Sequence, residues 1–250
     1  GEVLLGLYGY CIQIYCDFSG YSDMAIGIAL LLGFKIPMNF NAPLTADSMT
    51  DFWRRWHISL STWIRDYVYI SLGGNKKGTL RMYFNQMVAM TACGLWHGAS
   101  LNFIVWGVLH GALVCVHKFW SQTVLKHDRR YHPSGLRRFI SVFITFHVLC
   151  FTWLFFRCKD FDAVWVMVKQ MFTKFNPSVL PDVFMGYKYV FLLMIFALLT
   201  HWIPDSWQNR CVRILEKGGV LLSAIAITIV IFIIMQVKSS DIQPFIYFQF

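Results

Sequence analysis

Long apolar runs without Asp, Glu, Lys or Arg set the plan of this chain. The run between Arg81 and Lys118 holds 36 residues. At a rise of about 1.5 Å per residue, a helix of that length could cross a ~30 Å hydrocarbon core nearly twice. The run has no Pro, so a bend is expected near Gly94, Gly98 or the 100–102 stretch. Three more runs come later: 18 residues between Arg138 and Arg157, 16 between Lys188 and Asp205, and 20 between Lys217 and Lys238. The last has the cleanest transmembrane pattern. Residues 3–34 are apolar but carry Asp17 and Asp23, which predicts one span with polar content or two short pieces. No stretch has the basic start and cleavage site of a signal peptide. The pattern predicts an all-α, polytopic integral membrane protein of about five to six spans plus interfacial helices, as one domain over residues 1–250.

Two segments are expected to lie flat on the membrane. Residues 47–72 mix Trp53, Trp56, Trp63, Tyr67 and Tyr69 with Arg54, Arg55, Arg65, Asp51 and Asp66. Aromatic rings and snorkelling Arg both suit the headgroup layer. Residues 161–175 are a weaker case. Composition agrees: hydrophobic residues make up 57% and charged residues 14%, against ~25% charged in soluble domains. This excludes disorder and argues against an ordinary soluble globule. Charge then orients the spans. Lys and Arg number 22 against 13 Asp and Glu. If 82–117 crosses twice, alternate loops carry sixteen and six Lys/Arg, with seven in 35–81 and six in 118–138. The positive-inside rule puts the richer set in the cytoplasm, facing anionic lipid; no nucleic acid is implied. The seven Cys have no Cys-x-x-Cys spacing and read as small buried hydrophobes, not a disulfide framework or a zinc site.

Against this apolar background a few polar residues stand out. Gly94-Leu95-Trp96-His97-Gly98 lies deep in the charge-free run. An ionisable group at membrane depth is a functional candidate by default, and an imidazole away from water is neutral and can accept a proton. Glycines four apart let a neighbouring helix or a substrate approach the backbone. A packing His bonded to a neighbouring helix is the other reading. His57, in Arg54-Arg55-Trp56-His57-Ile58-Ser59, is either a second catalytic or positioning imidazole or an interfacial His among headgroups. His110 and His117 share a helix face at a spacing of seven, but metal pairs on one helix sit four apart, so no metal site is expected. His147 reads as a structural hydrogen-bonder. Asp17 and Asp23 could bind a substrate, relay protons, or pair with Arg54 or Arg55. Gly73-Gly74-Asn75-Lys76-Lys77 is a turn able to cradle a phosphate, or a lysine-tipped loop against lipid.

Together these strings resemble one family. FWRRWHISLSTWIRDYVYISLGGNKKG (52–78) followed by GLWHG (94–98) is similar to the membrane-bound O-acyltransferase family, MBOAT. The likeness is closest to its alginate O-acetyltransferase branch, which includes other bacterial polysaccharide and peptidoglycan acetylation proteins. The strings at 15–34, 37–43, 152–157 and 244–250 also resemble that branch. The resemblance implies a ring of helices around a thin centre, with tunnels meeting near the WHG histidine. It also implies that residues 1–250 are the C-terminal half of a family-length protein. It carries the catalytic role to His97 and singles out His57 as the upstream histidine of WRRWHISLS.

The resemblance further implies an acyltransferase of the bacterial cytoplasmic (inner) membrane, with no bound cofactor. Its donor would be a cytoplasmic acyl thioester, acetyl-CoA. The acetyl group would pass to hydroxyls of an extracytoplasmic polysaccharide, directly or through an SGNH-type acetyltransferase or polysaccharide machinery. In this reading His97 is the general base or a covalent relay, and His57 orients a substrate or stabilises developing charge. Trp56 and Trp96 wall the tunnel, while Arg54 and Arg55 attract the CoA phosphates. Asp17 and Asp23 stay as weaker binding candidates. The rival readings are D-alanyl transfer to a cell-wall polymer, a transporter, and a non-catalytic scaffold.

Overall fold

The computed structural model describes residues 2–128 and 131–237, which form helices and no strands. The string at 244–250 and the cations at 129, 130 and 238 lie outside the described residues. Contacts divide the chain into two units, Gly1–His201 and Trp202–Phe250.

In the first unit, α1 (Glu2–Leu31) is one continuous helix, so of the two readings of 3–34 the single piece holds. A loop leads to α2 (Met49–Arg55), started by Ser48, whose hydroxyl accepts from Asp51 N–H. α3 (Ile58–Trp63) comes almost at once and runs into a π-helical turn, Ile64–Tyr69. Next come α4 (Thr79–His97) and α5 (Leu101–Lys118), the latter continued by a second π turn, Phe119–Val124. α6 (Gly135–Thr152) and α7 (Leu154–Arg157) form the next long stretch. α8 (Phe161–Thr173), α9 (Leu180–Gly186) and α10 (Lys188–Thr200) complete the unit. In the second unit α11 (Asp205–Val237) breaks at Gly219, where φ is 62° and ψ −158°, and is uncharged from there on.

Among the described residues, three stretches are long and apolar enough to cross a membrane: Leu101–Val124, Gly135–Arg157 and Ser206–Gln236. A fourth counts if Pro177–Gly186 and Lys188–Thr200, bent by 83°, form one span. This measure returns fewer than the expected five or six spans. It leaves out α1, with Asp17 and Asp23, and α4, with Arg81, Asn85 and Gln86. The outer positions of α6 (Phe139, Ile140, Phe143, Ile144) and of α10 (Leu192, Leu193, Phe196) are exposed, which suits contact with lipid chains.

The 82–117 run bends where its glycines allow. Gly98 closes α4 at φ 150°, and Ser100 caps α5 by accepting from Asn102 N–H. The two helices then run back along each other. Gly94 faces Gly107, and Gly111 faces Met87 and Met90. Lys118 reaches Gln86 at 2.9 Å. Buried polar side chains tie this hairpin to its surroundings. Asn102 donates to the Cys158 carbonyl at 2.9 Å, and Asn85 donates to the Gly74 carbonyl at 2.8 Å.

The flat segment is only partly as expected. Trp63 and Tyr67 are exposed, with their rings 5.3 Å apart and tilted by 32°, and such exposure suits rings in a headgroup layer. Trp56 is instead core, 4% exposed, packed on Phe52, Phe40 and Trp153. The turn at His57 separates the two environments. Its φ of 44° and ψ of 57° are left-handed, so α2 and α3 do not share one continuous face.

Candidate active site

A chain of rings runs through the first unit from the α2–α3 turn to the α4–α5 hairpin. His57 meets the Trp96 ring at 5.9 Å, and Trp96 meets His97 at 4.9 Å. His97 in turn meets Trp106 at 5.3 Å and Phe156 at 4.9 Å, and Trp106 meets His110 at 4.4 Å. His57 and His97 therefore both contact one indole, although 40 positions separate them in the sequence. His97 is the last residue of α4 and is half-buried; Trp96 is 52% exposed.

The three histidines of this chain of rings differ in their bonding. His110 is fully buried between Trp53 and Thr152. An indole N–H only donates, so Nδ1 of His110 accepts from Trp53 at 3.2 Å. Nε2 then carries the proton and donates to Thr152 Oγ1 at 2.9 Å, and the Thr152 hydroxyl donates to the Leu149 carbonyl at 2.8 Å. Both nitrogens of His110 are engaged, so it is a clasp between α2, α5 and α6. His57 is also buried, and burial lowers its pKa to about 4, so its ring is neutral near pH 7. Its Nδ1 lies 3.2 Å from Asn39 Oδ1. A non-glycine residue held at positive φ is the kind of strain that persists where neighbours over-determine it.

Two clefts lie on the α2–α4–α5 side. One, of about 270 Å³, is lined by Trp53, Arg54, Met90, Cys93 and Lys118, among others. The other, of about 240 Å³, is more polar and includes Arg54, Asn75, His117, Lys118 and His132. They share Thr50, Arg54, Tyr69 and Lys118, so two cations stand where they adjoin. Neither cleft is lined by His57 or His97. Cys93, which lines the first, is one helical turn before His97, about 6 Å along α4.

The remaining sequence candidates divide. Arg54 is exposed and lines both clefts. Arg55 points elsewhere, with its Nε 2.8 Å from Asp51 Oδ2. Asp17 and Asp23, on α1, make no ion pair with Arg54 or Arg55 among the described residues; Asp51 takes the partner suggested for them. Trp56 lines neither cleft. His117 bonds Thr50 at 2.9 Å, and His147 bonds the Phe143 carbonyl one turn back at 2.8 Å. Asp47, Asp51 and His132 bring ligand-type atoms within 4.8 Å of one another. They are arranged as two pairs, His132 on Asp47 at 2.6 Å and Arg55 on Asp51. Sequence reasoning missed Lys118 as a partner of Arg54, because a cation ending one helix shows no link to a cation on another. It also missed Asn39, which carried no signal beyond its place in the string at 37–43.

The chain is 46% identical over 173 residues to "Probable alginate O-acetylase AlgI" of Azotobacter vinelandii, covering 69% of this chain and 33% of that protein. It is 43% identical over 162 residues to the peptidoglycan O-acetyltransferase of Helicobacter pylori, covering 65% and 30%. It is 34% identical over 169 residues to the teichoic acid D-alanyltransferase of Bacillus subtilis, covering 63% and 42%. The chain thus spans about a third to two fifths of the length of these relatives. Residues 4–156 match the model of the membrane-bound O-acyltransferase family, and these residues hold most of α1, all of α2 to α6, both site histidines and both clefts. The chain belongs to the membrane-bound O-acyltransferase family, MBOAT.

Proposed function

We propose that this chain forms the reactive part of a bacterial inner-membrane O-acyltransferase. It moves acetyl from acetyl-CoA toward hydroxyls of an extracytoplasmic polysaccharide, directly or by way of an SGNH-type partner. The observation that carries this reading is that His57 and His97 both contact the ring of Trp96, inside the family-matched segment. Two of the three relatives are acetylating proteins by name, and the third moves D-alanine. D-alanyl transfer is therefore the second reading, and the donor tells the two apart.

The chemistry asked of the site is attack of a hydroxyl on a thioester carbonyl. The new C–O bond forms, the C–S bond breaks, and the hydroxyl proton must leave. A neutral imidazole is matched to that proton at pH 7. His97 takes it and the departing thiolate receives a proton in turn. His57, in contact with the same indole, binds or orients the reacting groups. Arg54 and Lys118 stand where the clefts adjoin and suit the phosphates of CoA, with the apolar cleft toward Cys93 receiving its thioester arm. The six Lys/Arg of 118–138 favour a cytoplasmic side for that entrance.

The test is acetylation per unit of membrane-inserted protein in the full-length enzyme. His97→Ala should lose ~10²-fold or more, since a general base contributes ~10²–10⁴-fold. His110→Ala removes a buried clasp, so it should lower the amount of inserted protein more than the rate of what remains. Near-normal acetylation by His97→Ala would leave a scaffold as the better reading. Transfer from a D-alanyl thioester but not from acetyl-CoA would establish the second reading.

A further inference from the structure

The loop between α1 and α2 grips the His57 turn through one residue. Asn39 Oδ1 accepts from the Ser59 N–H at 3.1 Å and from the Ser59 hydroxyl at 3.0 Å, and it lies 3.2 Å from His57 Nδ1. The Asn39 carbonyl accepts from Ile58 N–H at 2.9 Å, and Asn41 N–H donates to the Arg55 carbonyl at 3.0 Å. These bonds bracket His57 on both sides and hold its left-handed backbone. The ring itself is wedged edge-on against Phe18 at 4.7 Å and 89°, with Trp96 at 5.9 Å.

The hydrogens are fixed by donor and acceptor roles. A peptide N–H can only donate, so the Asn39 atom that faces Ser59 N must be the amide oxygen. That same oxygen faces His57 Nδ1, so Nδ1 must supply the proton. The Ser59 hydroxyl, 3.3 Å from Nδ1, is already donating to Asn39. A neutral imidazole carries one ring proton, which leaves the lone pair on Nε2.

We propose that Asn39 is a positioning residue that locks His57 in the Nδ1–H tautomer and so presents the Nε2 lone pair to the acyl-transfer site. The proposal rests on the reading of His57 as part of that site. Asn39 makes and breaks no bond in the reaction; it holds one proton at Nδ1 and fixes the plane of the ring. Without it, the ring can adopt either tautomer and can rotate, and only part of the population has a lone pair where it is needed.

A double-mutant cycle tests this in the full-length membrane enzyme, read as acetylation per unit of inserted protein over a range of donor concentrations up to saturation. Asn39→Leu removes the acceptor and should lower kcat on the order of 10²-fold with little change in KM, the loss that a ~1 Å misplacement of an orienting group can cause. Asn39→Asp keeps an oxygen acceptor for both Nδ1–H and Ser59 N–H and should retain most of the rate. In a His57→Ala background, Asn39→Leu should cost nothing further. An equal loss in both backgrounds would overturn the proposal, because Asn39 would then act on the fold alone. Full activity of His57→Ala would instead refute the reading of His57 on which the proposal rests. ¹⁵N spectra of the labelled histidine rings give a second readout that needs no turnover. The His57 signals should show a protonated Nδ1 in the parent and in Asn39→Asp, and Nε2–H in the parent would overturn the assignment even if every variant were inactive or poorly folded.

Discussion

Gly94 opens the GLWHG string, and at sequence level its missing side chain could admit either a helix or a substrate. The structure gives the space to a helix. A Cβ at residue 94 would lie 2.3 Å from the Phe103 carbonyl oxygen, 3.1 Å from Gly107 Cα and 3.2 Å from Gly107 N. Carbon–oxygen contacts across helices normally sit at ~3.3–3.6 Å. Gly94→Ala therefore demands about 1 Å of separation between α4 and α5, and all three opposing atoms are backbone. The contact is reciprocal, since a Cβ at Gly107 would lie 2.5 Å from the Met90 carbonyl oxygen. Overpacking of this kind costs ~1–3 kcal/mol, and the rigid partners put it at the upper end. Ala regains ~1 kcal/mol of helix propensity. The net is about 2 kcal/mol, or roughly 4–8 °C in Tm for a chain of this size. Gly20→Ala in α1 is the control, because nothing lies within 4 Å of its Cβ position; it should match or slightly exceed the parent. The assay is thermal unfolding of detergent-solubilised protein, with acetylation measured on the same samples. Gly94→Ala should also lose activity, because Trp106 and Phe103, which pack against His97, belong to the helix that is pushed away. A Tm for Gly94→Ala at or above that of Gly20→Ala would refute the close-packed hairpin.

The clefts and His57 each give a further outcome. Arg54→Gln with Lys118→Gln should raise the KM for acetyl-CoA by ~10-fold or more while leaving kcat within a few-fold, since each charge-assisted bond to phosphate is worth ~1.5–3 kcal/mol before solvent exposure reduces it; an unchanged KM would remove the donor from these clefts. The folded pKa of His57 lies near 4, below its ordinary 6.5, so the unfolded chain binds the extra proton between those values. Its contribution to stability is full above pH 6.5 and is lost as pH falls toward 4, by at most ~3 kcal/mol. His57→Asn, a residue that tolerates left-handed backbone, should flatten that part of the acid-unfolding profile; an identical profile in parent and variant would show that His57 is not the group responsible.

How much of the fold and site is legible in the sequence depends on the range of the interaction. The break in the 82–117 run is legible because glycine, a missing proline and the length of the run are local facts. The environments of Trp56 and Trp63 are not. Both sit in the same aromatic and cationic string, and the left-handed turn at His57 that sends one into the core has no clear local signature, since no glycine marks it and positive φ is uncommon at any other residue. Arg55 and Arg54 are adjacent and look equivalent, yet Asp51 lies one turn before Arg55 and takes it out of contention. Asn39 is the least legible, because its partners lie 18 and 20 residues on and reach it through a loop.

The histidines show why pattern alone could not finish the assignment. His97 and His110 both lie in apolar helices beside a glycine and in contact with a tryptophan ring, so periodicity treats them alike. What separates a structural imidazole from a reactive one is how its two nitrogens are used. His110 accepts at Nδ1 from a donor-only indole and donates at Nε2 to a hydroxyl that itself donates to a carbonyl. A third exchange at that ring would have to break one of these bonds inside a fully buried site, at the cost of leaving a polar atom without a partner. His57 is tied at Nδ1 by an acceptor that also holds the neighbouring backbone, and that single tie orients the ring while leaving the lone pair of Nε2 to chemistry. A histidine bonded on both edges holds helices together, and one bonded on a single edge by a rigid acceptor keeps its other nitrogen available to bind and orient a reacting group.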